Sequence, residues 1–113
     1  MPTITIYHNP RCSKSRQTLN LLEEKGFEPT IVLYLETPPD SDTLKDIVRM
    51  LGVSPIDIVR KGESAFQAEM VEWSEDKLLS AMVSQPILIE RPIVVSGDNA
   101  RIGRPPESVL DIL

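Results

Sequence analysis

Apolar residues alternate with threonine at the start of the chain, Thr3-Ile-Thr-Ile-Tyr7, a β-branched run with the two-residue period of a strand. His8-Asn9-Pro10-Arg11 breaks the alternation. From Ser13 to Lys25 the period lengthens: Leu19 and Leu22 share a face and Gly26 supplies a stop, which predicts a helix. Thr30-Ile-Val-Leu-Tyr34 is a short, continuous apolar run of the kind found in buried strands. Strand, helix and strand in this order predict a right-handed βαβ unit with parallel strands.

Thr37-Pro-Pro-Asp40 reads as a loop, after which Asp40 or Ser41 caps a second helix. Its Leu44, Ile47, Val48 and Leu51 fall at i, i+3, i+4 and i+7, and Gly52 ends it. Ser54-Pro55 is a helix-start signature leading through Ile56, Ile58 and Val59 to Arg60. Residues 61–73 carry the weakest pattern, with a short helix expected near Ala65 to Met70. Ser74 caps a further helix bearing Leu78, Leu79, Met82 and Val83, stopped by Pro86. Ile93-Val-Val95, a Gly97-Asp98-Asn99 turn and Ala100-Arg-Ile102 predict an antiparallel hairpin. Pro105-Pro106-Glu107 then opens a terminal helix with Val109, Leu110 and Leu113 on one face.

The order β-α-β, helices, β-β-α predicts an α/β fold with a four-stranded mixed sheet flanked by helices. The helical stretch, about residues 40–85, falls between the second and third strands. At 113 residues the chain is expected to form one domain. The first strand's C-terminal end, with Cys12 beyond it, is expected at the edge of the sheet.

Composition narrows the function. A net charge of −5 argues against general nucleic-acid or membrane-surface binding, which need a basic footprint. The longest apolar runs, Ile31 to Leu35 and Pro86 to Ile89, are far shorter than a membrane span. Strand-like sequence begins at Thr3 without a secretory pattern, and a lone cysteine suits a reducing compartment, so the cytoplasm is expected.

Cys12 stands between a strand end and a helix start. The first amide N–H groups of a helix lack intrahelical partners and the macrodipole favours negative charge there. Such placement favours the thiolate, the reactive form of a thiol, and the same amides can hold an oxyanion. Arg11, Lys14 and Arg16 add positive potential nearby. A free cysteine is also often a small buried hydrophobe, but Pro10-Arg11-Cys12-Ser13-Lys14-Ser15 is polar and turn-like, a poor setting for core packing. A phosphatase-type loop would need Arg at position 18, which is Thr, and a dithiol motif would need Cys at position 15, which is Ser. With no second cysteine in the chain, any redox cycle through Cys12 needs a thiol from another molecule.

The segment His8-Asn-Pro-Arg-Cys-Ser-Lys-Ser-Arg-Gln-Thr18 resembles the signature of the glutaredoxin-linked arsenate reductase family. Glu90-Arg-Pro-Ile-Val-Val95, Gly103-Arg-Pro-Pro-Glu107, Tyr34-Leu-Glu-Thr-Pro-Pro39 and Leu51-Gly52 resemble further parts of it, in the same order along nearly the whole chain. The resemblance is to the short-chain branch of the family. Ser13-Lys14 stands where well-characterised members carry Gly-Thr.

This resemblance implies a thioredoxin-like fold with a helical insertion, and a cis proline at Pro92. It implies an arsenate reductase, an oxidoreductase with no bound cofactor or metal. Glutathione would be its external thiol donor and glutaredoxin its partner, with arsenate detoxification as its role. It makes Cys12 the nucleophile, Arg60, Arg91 and Arg104 the oxyanion-binding arginines, and His8 a support for the thiolate. Arginine suits that task because it offers a permanent charge and a planar fork of donors to a tetrahedral oxyanion. Ser15 either orients the thiolate or caps the helix, while Arg101, Trp73 and the methionines belong to the surface and the packing. Two alternatives stay open: a glutathione-dependent thiol oxidoreductase with another substrate, and a thioredoxin-fold redox regulator that binds a protein partner.

Overall fold

In the computed structural model, which describes residues 3–113, the initial alternation becomes β1 (Ile4–His8). Ile4, Ile6 and His8 are buried, while Thr5 and Tyr7 between them are half-buried. Helix α1 (Ser13–Glu24) follows, then β2 (Thr30–Leu33), parallel to β1 with Ile6 beside Ile31 and His8 beside Leu33. β3 (Ile93–Ser96) and β4 (Asn99–Ile102) form the expected hairpin. It turns on Gly97-Asp98, where Gly97 has φ 59°, a conformation that glycine adopts without a Cβ clash. β3 runs antiparallel to β1, so the four strands make a mixed sheet in the order β2-β1-β3-β4. The helices that were expected between the second and third strands lie there.

Two of the expectations need correction. β1 is an inner strand, so Cys12 lies beyond the C-terminal end of a central strand rather than at a lateral edge. β2 is the lateral edge instead. It stops at Leu33, and it is not buried: Ile31 is 46% and Leu33 36% exposed. The apolar cluster under the sheet explains this. Ile4, Ile6 and Val94 from β1 and β3 meet Leu22 of α1 and Val109 of the terminal segment, with Leu19, Phe27 and Ile112 packed against them. No β2 residue joins that cluster, and only Tyr34, just past the strand, turns inward. The expected terminal helix is a 3-10 helix, Pro106–Ile112.

Contacts divide the chain into two compact units, Met1–Thr37 with Arg91–Leu113, and Pro38–Glu90. The second unit holds α2 (Ser41–Leu51) and α3 (Glu75–Ser84). Asp40 caps α2 by accepting from the Thr43 N–H at 2.8 Å, and Gly52 ends it at φ 74°. Ser74 caps α3 by accepting from the Lys77 N–H at 3.2 Å. Leu44, Ile47, Val48, Leu78, Leu79 and Met82 are the buried faces of these two helices. Pro55–Ile58, Ala68–Glu72 and Pro86–Leu88 are short 3-10 turns, the second of them overlapping the C-terminal half of the short helix expected near Ala65 to Met70. Among the described residues, no helix is long and apolar enough to cross a membrane.

The inner face of α1 is unusual for a core helix. Its buried residues are Ser15, Thr18 and Leu22, and Leu19 is only partly covered. Small hydroxyl side chains let other backbone approach closely. The Thr18 hydroxyl is satisfied by the Lys14 carbonyl at 2.8 Å, and a Cβ added to Gly103 would lie 2.5 Å from Thr18 Oγ1 and 2.8 Å from Pro92 Cγ. Gly103 is therefore required by close packing of α1 against the chain after β4. Gly103→Ala is expected to destabilise the protein by about 1–3 kcal/mol through overpacking, read as a lower urea midpoint with unchanged slope. Adding Thr18→Ala, which removes the colliding hydroxyl, should recover part of that loss.

Candidate active site

The turn from β1 into α1 is built by its own polar groups. The Cys12 N–H donates to the Asn9 carbonyl at 3.0 Å, and the Arg11 N–H donates to Asn9 Oδ1 at 3.0 Å. Arg16 reaches back over the turn, its Nη1 donating to the Pro10 carbonyl at 2.8 Å. Cys12 is the N-cap residue of α1, and its carbonyl accepts the first helical bond, from the Arg16 N–H at 3.0 Å. A cap residue normally lends a side-chain oxygen to the first-turn amides. Cys12 lends none, and α1 carries no acidic residue in its first turn. α2 and α3 have both an oxygen cap and acidic first-turn residues, so α1 alone of the three presents its N-terminus to an outside anion.

His8 and Ser15 lie behind this turn, both buried. His8 Nδ1 and Ser15 Oγ are 2.6 Å apart, and the Asn9 N–H donates to the same oxygen at 3.0 Å. Ser15 Oγ bridges the Asn9 amide and the His8 ring, the direction of the second bond following the tautomer of the imidazole. Ser15 thus ties the end of β1 to the first turn of α1, and it neither caps the helix nor bonds the sulfur. Burial, and secondarily the charge of Arg16, hold His8 below its usual value of 6.5, so the ring is neutral at pH 7.

Cys12 is 8% exposed. Its Sγ lies 3.6 Å from Nη2 of Arg104, which follows β4. Arg104 is itself held, its Nε donating to the Arg91 carbonyl at 2.8 Å. The Gly103 N–H donates to the Pro92 carbonyl at 2.9 Å, so the chain before β3 and the chain after β4 are zipped together beside the sulfur. The Arg91-Pro92 bond is cis, as the resemblance implies, and Arg104-Pro105 is cis as well. Arg91 is engaged by neighbouring groups, although its Nε and Nη1 are buried without a hydrogen-bond acceptor.

The structure therefore gathers Cys12, His8, Ser15, Arg91, Pro92 and Arg104 within the first unit. Arg60 belongs to the second, where its guanidinium pairs with Glu63 and, at 3.8 Å, with Glu90. Arg101 donates to the Ala100 carbonyl and stays at the hairpin. Among the described residues no group of His, Cys, Asp and Glu is arranged to hold a metal ion. The sequence reading overlooked Asn9, Thr18 and Gly103. Asn9 before a proline was a legible turn signal, while the Thr18–Gly103 contact spans the fold and left no local trace.

A sequence model described as the ArsC family matches residues 7–112. The uncharacterized protein YfgD of Escherichia coli (strain K12) is 54% identical, over 97% of this chain and 96% of its own. An arsenate reductase of Haemophilus influenzae is 44% identical, over 98% of this chain and 99% of its own. The solved arsenate reductase from Vibrio cholerae matches with a TM-score of 0.93 at 46% identity, covering 99% of this chain and 98% of that one.

Two outcomes follow from the His8–Ser15 link. Ser15→Ala is expected to cost about 1–3 kcal/mol, the penalty of stranding buried polar partners, measured by chemical unfolding. His8 binds its proton less readily folded than unfolded, so its contribution is complete above pH 6.5 and is lost as pH falls toward the lowered native value. Stability measured against pH should decline below 6.5 more steeply in the native protein than in His8→Gln.

Proposed function

Because the chain belongs to the ArsC family, whose thioredoxin-like fold it has, we propose that it is a cytoplasmic arsenate reductase working through Cys12 with glutathione and glutaredoxin as external thiols. The observation that carries this reading is the Arg104 guanidinium 3.6 Å from the sulfur of the chain's only cysteine. A nucleophile and a fixed cationic donor side by side suit attack on an oxyanion, because charge on the oxygens is met as it develops.

In this reading Arg104 and Arg91 hold arsenate against Cys12. The Cys12 thiolate attacks arsenic, forming the S–As bond as an oxygen takes two protons and leaves as water. Glutathione next forms a second As–S bond as another oxygen of the adduct leaves as water. The glutaredoxin thiol then attacks the glutathione sulfur, and the As–S electron pair passes to arsenic, reducing As(V) to As(III). A water then adds to arsenic and displaces the Cys12 sulfur, breaking the remaining S–As bond, so that arsenite departs and Cys12 is restored. In sum, arsenate and two thiols give arsenite, one mixed disulfide and one water. The neutral His8, fixed by Ser15, supports the loop that carries the thiolate, and Pro92 shapes the opposite wall. Arg60 already faces Glu63 and Glu90, so its part in binding an oxyanion requires it to exchange a carboxylate for the substrate.

A second reading keeps the thiol and changes the substrate to a disulfide, and the uncharacterized 54%-identical relative leaves room for it. Arg104 separates the two. In a coupled assay following NADPH with arsenate, glutathione, glutaredoxin and glutathione reductase, Cys12→Ser should abolish the arsenate-dependent rate. Arg104→Ala should lower kcat/KM for arsenate about 10²–10³-fold, as for loss of one oxyanion donor, and Arg60→Ala should lower it less. An arsenate-independent turnover of mixed disulfides that ignores Arg104→Ala would favour the second reading.

A further inference from the structure

The edge strand β2 presents a surface that the chemistry described so far does not use. Ile31 and Leu33 of β2 and Leu35 in the turn after it are 46%, 36% and 42% exposed. Leu33 and Leu35 line a groove of about 430 Å³. One wall is the turn itself, Asn9-Pro10-Arg11 with His8 behind it, and the other is Leu33, Leu35 and Glu36. The groove thus begins one residue before Cys12, on the side of the turn formed by β2.

We propose that this groove is the docking site of the thiol reductant, a small thiol tripeptide of the glutathione type. The proposal rests on the reading that an external thiol completes the Cys12 cycle, which the single cysteine in the chain demands. Three features select this occupant. The volume lies within the range of small-molecule sites and far exceeds what a tetrahedral oxyanion fills. The β2-side wall is apolar at Leu33 and Leu35, where an oxyanion gains nothing and a peptide's methylene groups can rest. The walls carry opposite charges, Arg11 next to Cys12 and Glu36 across from it. Among the described residues neither is committed to an ion pair. A zwitterionic thiol peptide matches that pattern, its carboxylate on Arg11 and its ammonium on Glu36, with the thiol carried between them. The Asn9 Oδ1 bond to the Arg11 N–H fixes the root of Arg11 within the turn.

The test uses the whole protein and S-methylglutathione, which binds without reacting and so reads docking independently of any arsenate chemistry. Titration followed by ¹H–¹⁵N NMR should give saturable shifts at the amides of Asn9, Arg11, Leu33, Leu35 and Glu36. Glu36→Lys should weaken binding about fivefold, the upper end for one exposed ion pair, and Leu33→Asp, which puts a carboxylate in place of the apolar contact, should weaken it as well. In turnover the same variants should raise KM for glutathione and leave KM for arsenate alone. Shifts confined to the Pro92 and Arg104 side, or affinity unmoved by both variants, would overturn the proposal. So would shifts at these amides with reduced glutaredoxin but none with S-methylglutathione, since the occupant would then be a protein. Binding at the groove without arsenate turnover would uphold this proposal and count against the reductase reading alone.

Discussion

At the start of α1 the chain must hold a thiol where a helix normally wants an oxygen. Sulfur is a poor cap, so the turn before the helix has to be held by other means. Asn9 does much of this, accepting the Cys12 N–H with its carbonyl and the Arg11 N–H with its side chain. Ser15 does the rest from inside the helix, joining Asn9 and His8 through one buried oxygen. The neutral imidazole follows from the same burial, because a charged ring there would lose its hydration.

The opposite side of the sulfur is ordered by a second constraint, the close approach of α1 to the segment after β4. It is possible only because α1 turns Ser15 and Thr18 inward and the approaching residue is Gly103. Gly103 bonds Pro92, Arg104 bonds the Arg91 carbonyl, and Nη2 of Arg104 reaches the sulfur. A cysteine, an arginine more than ninety residues later and a proline loop between them thus converge through backbone bonds, and only the last contact uses a charged side chain on the thiol.

Much of this was legible in the sequence. The β-branched alternation, the Gly stops and the Ser, Asp and Pro starts located the strands and α-helices, since those signals act locally. The mixed sheet and the hairpin followed from element order. The polar, turn-like flank located Cys12 between β1 and α1, although it did not announce that Cys12 and Ser15 are both buried there. Burial was read less well: Ile31-Val-Leu33 had the composition of an interior strand, yet whether a strand is interior depends on which neighbours pair with it, and β2 has only β1. The core face of α1 was legible at Leu22 but not at Thr18, which is buried by what packs on it and not by its own polarity. The carboxylates facing Arg60 were hidden as well, since Glu90 meets it through an antiparallel bridge between Val59 and Ile89 that no local pattern announces.

The account stands on Cys12 as the atom that bonds the substrate's arsenic. Arsenic K-edge X-ray absorption of the protein mixed with arsenate, with no other thiol present, reads that bond directly. The account predicts one sulfur neighbour on arsenic in the native protein and its loss in Cys12→Ser. An oxygen-only shell, identical in both proteins, would contradict it.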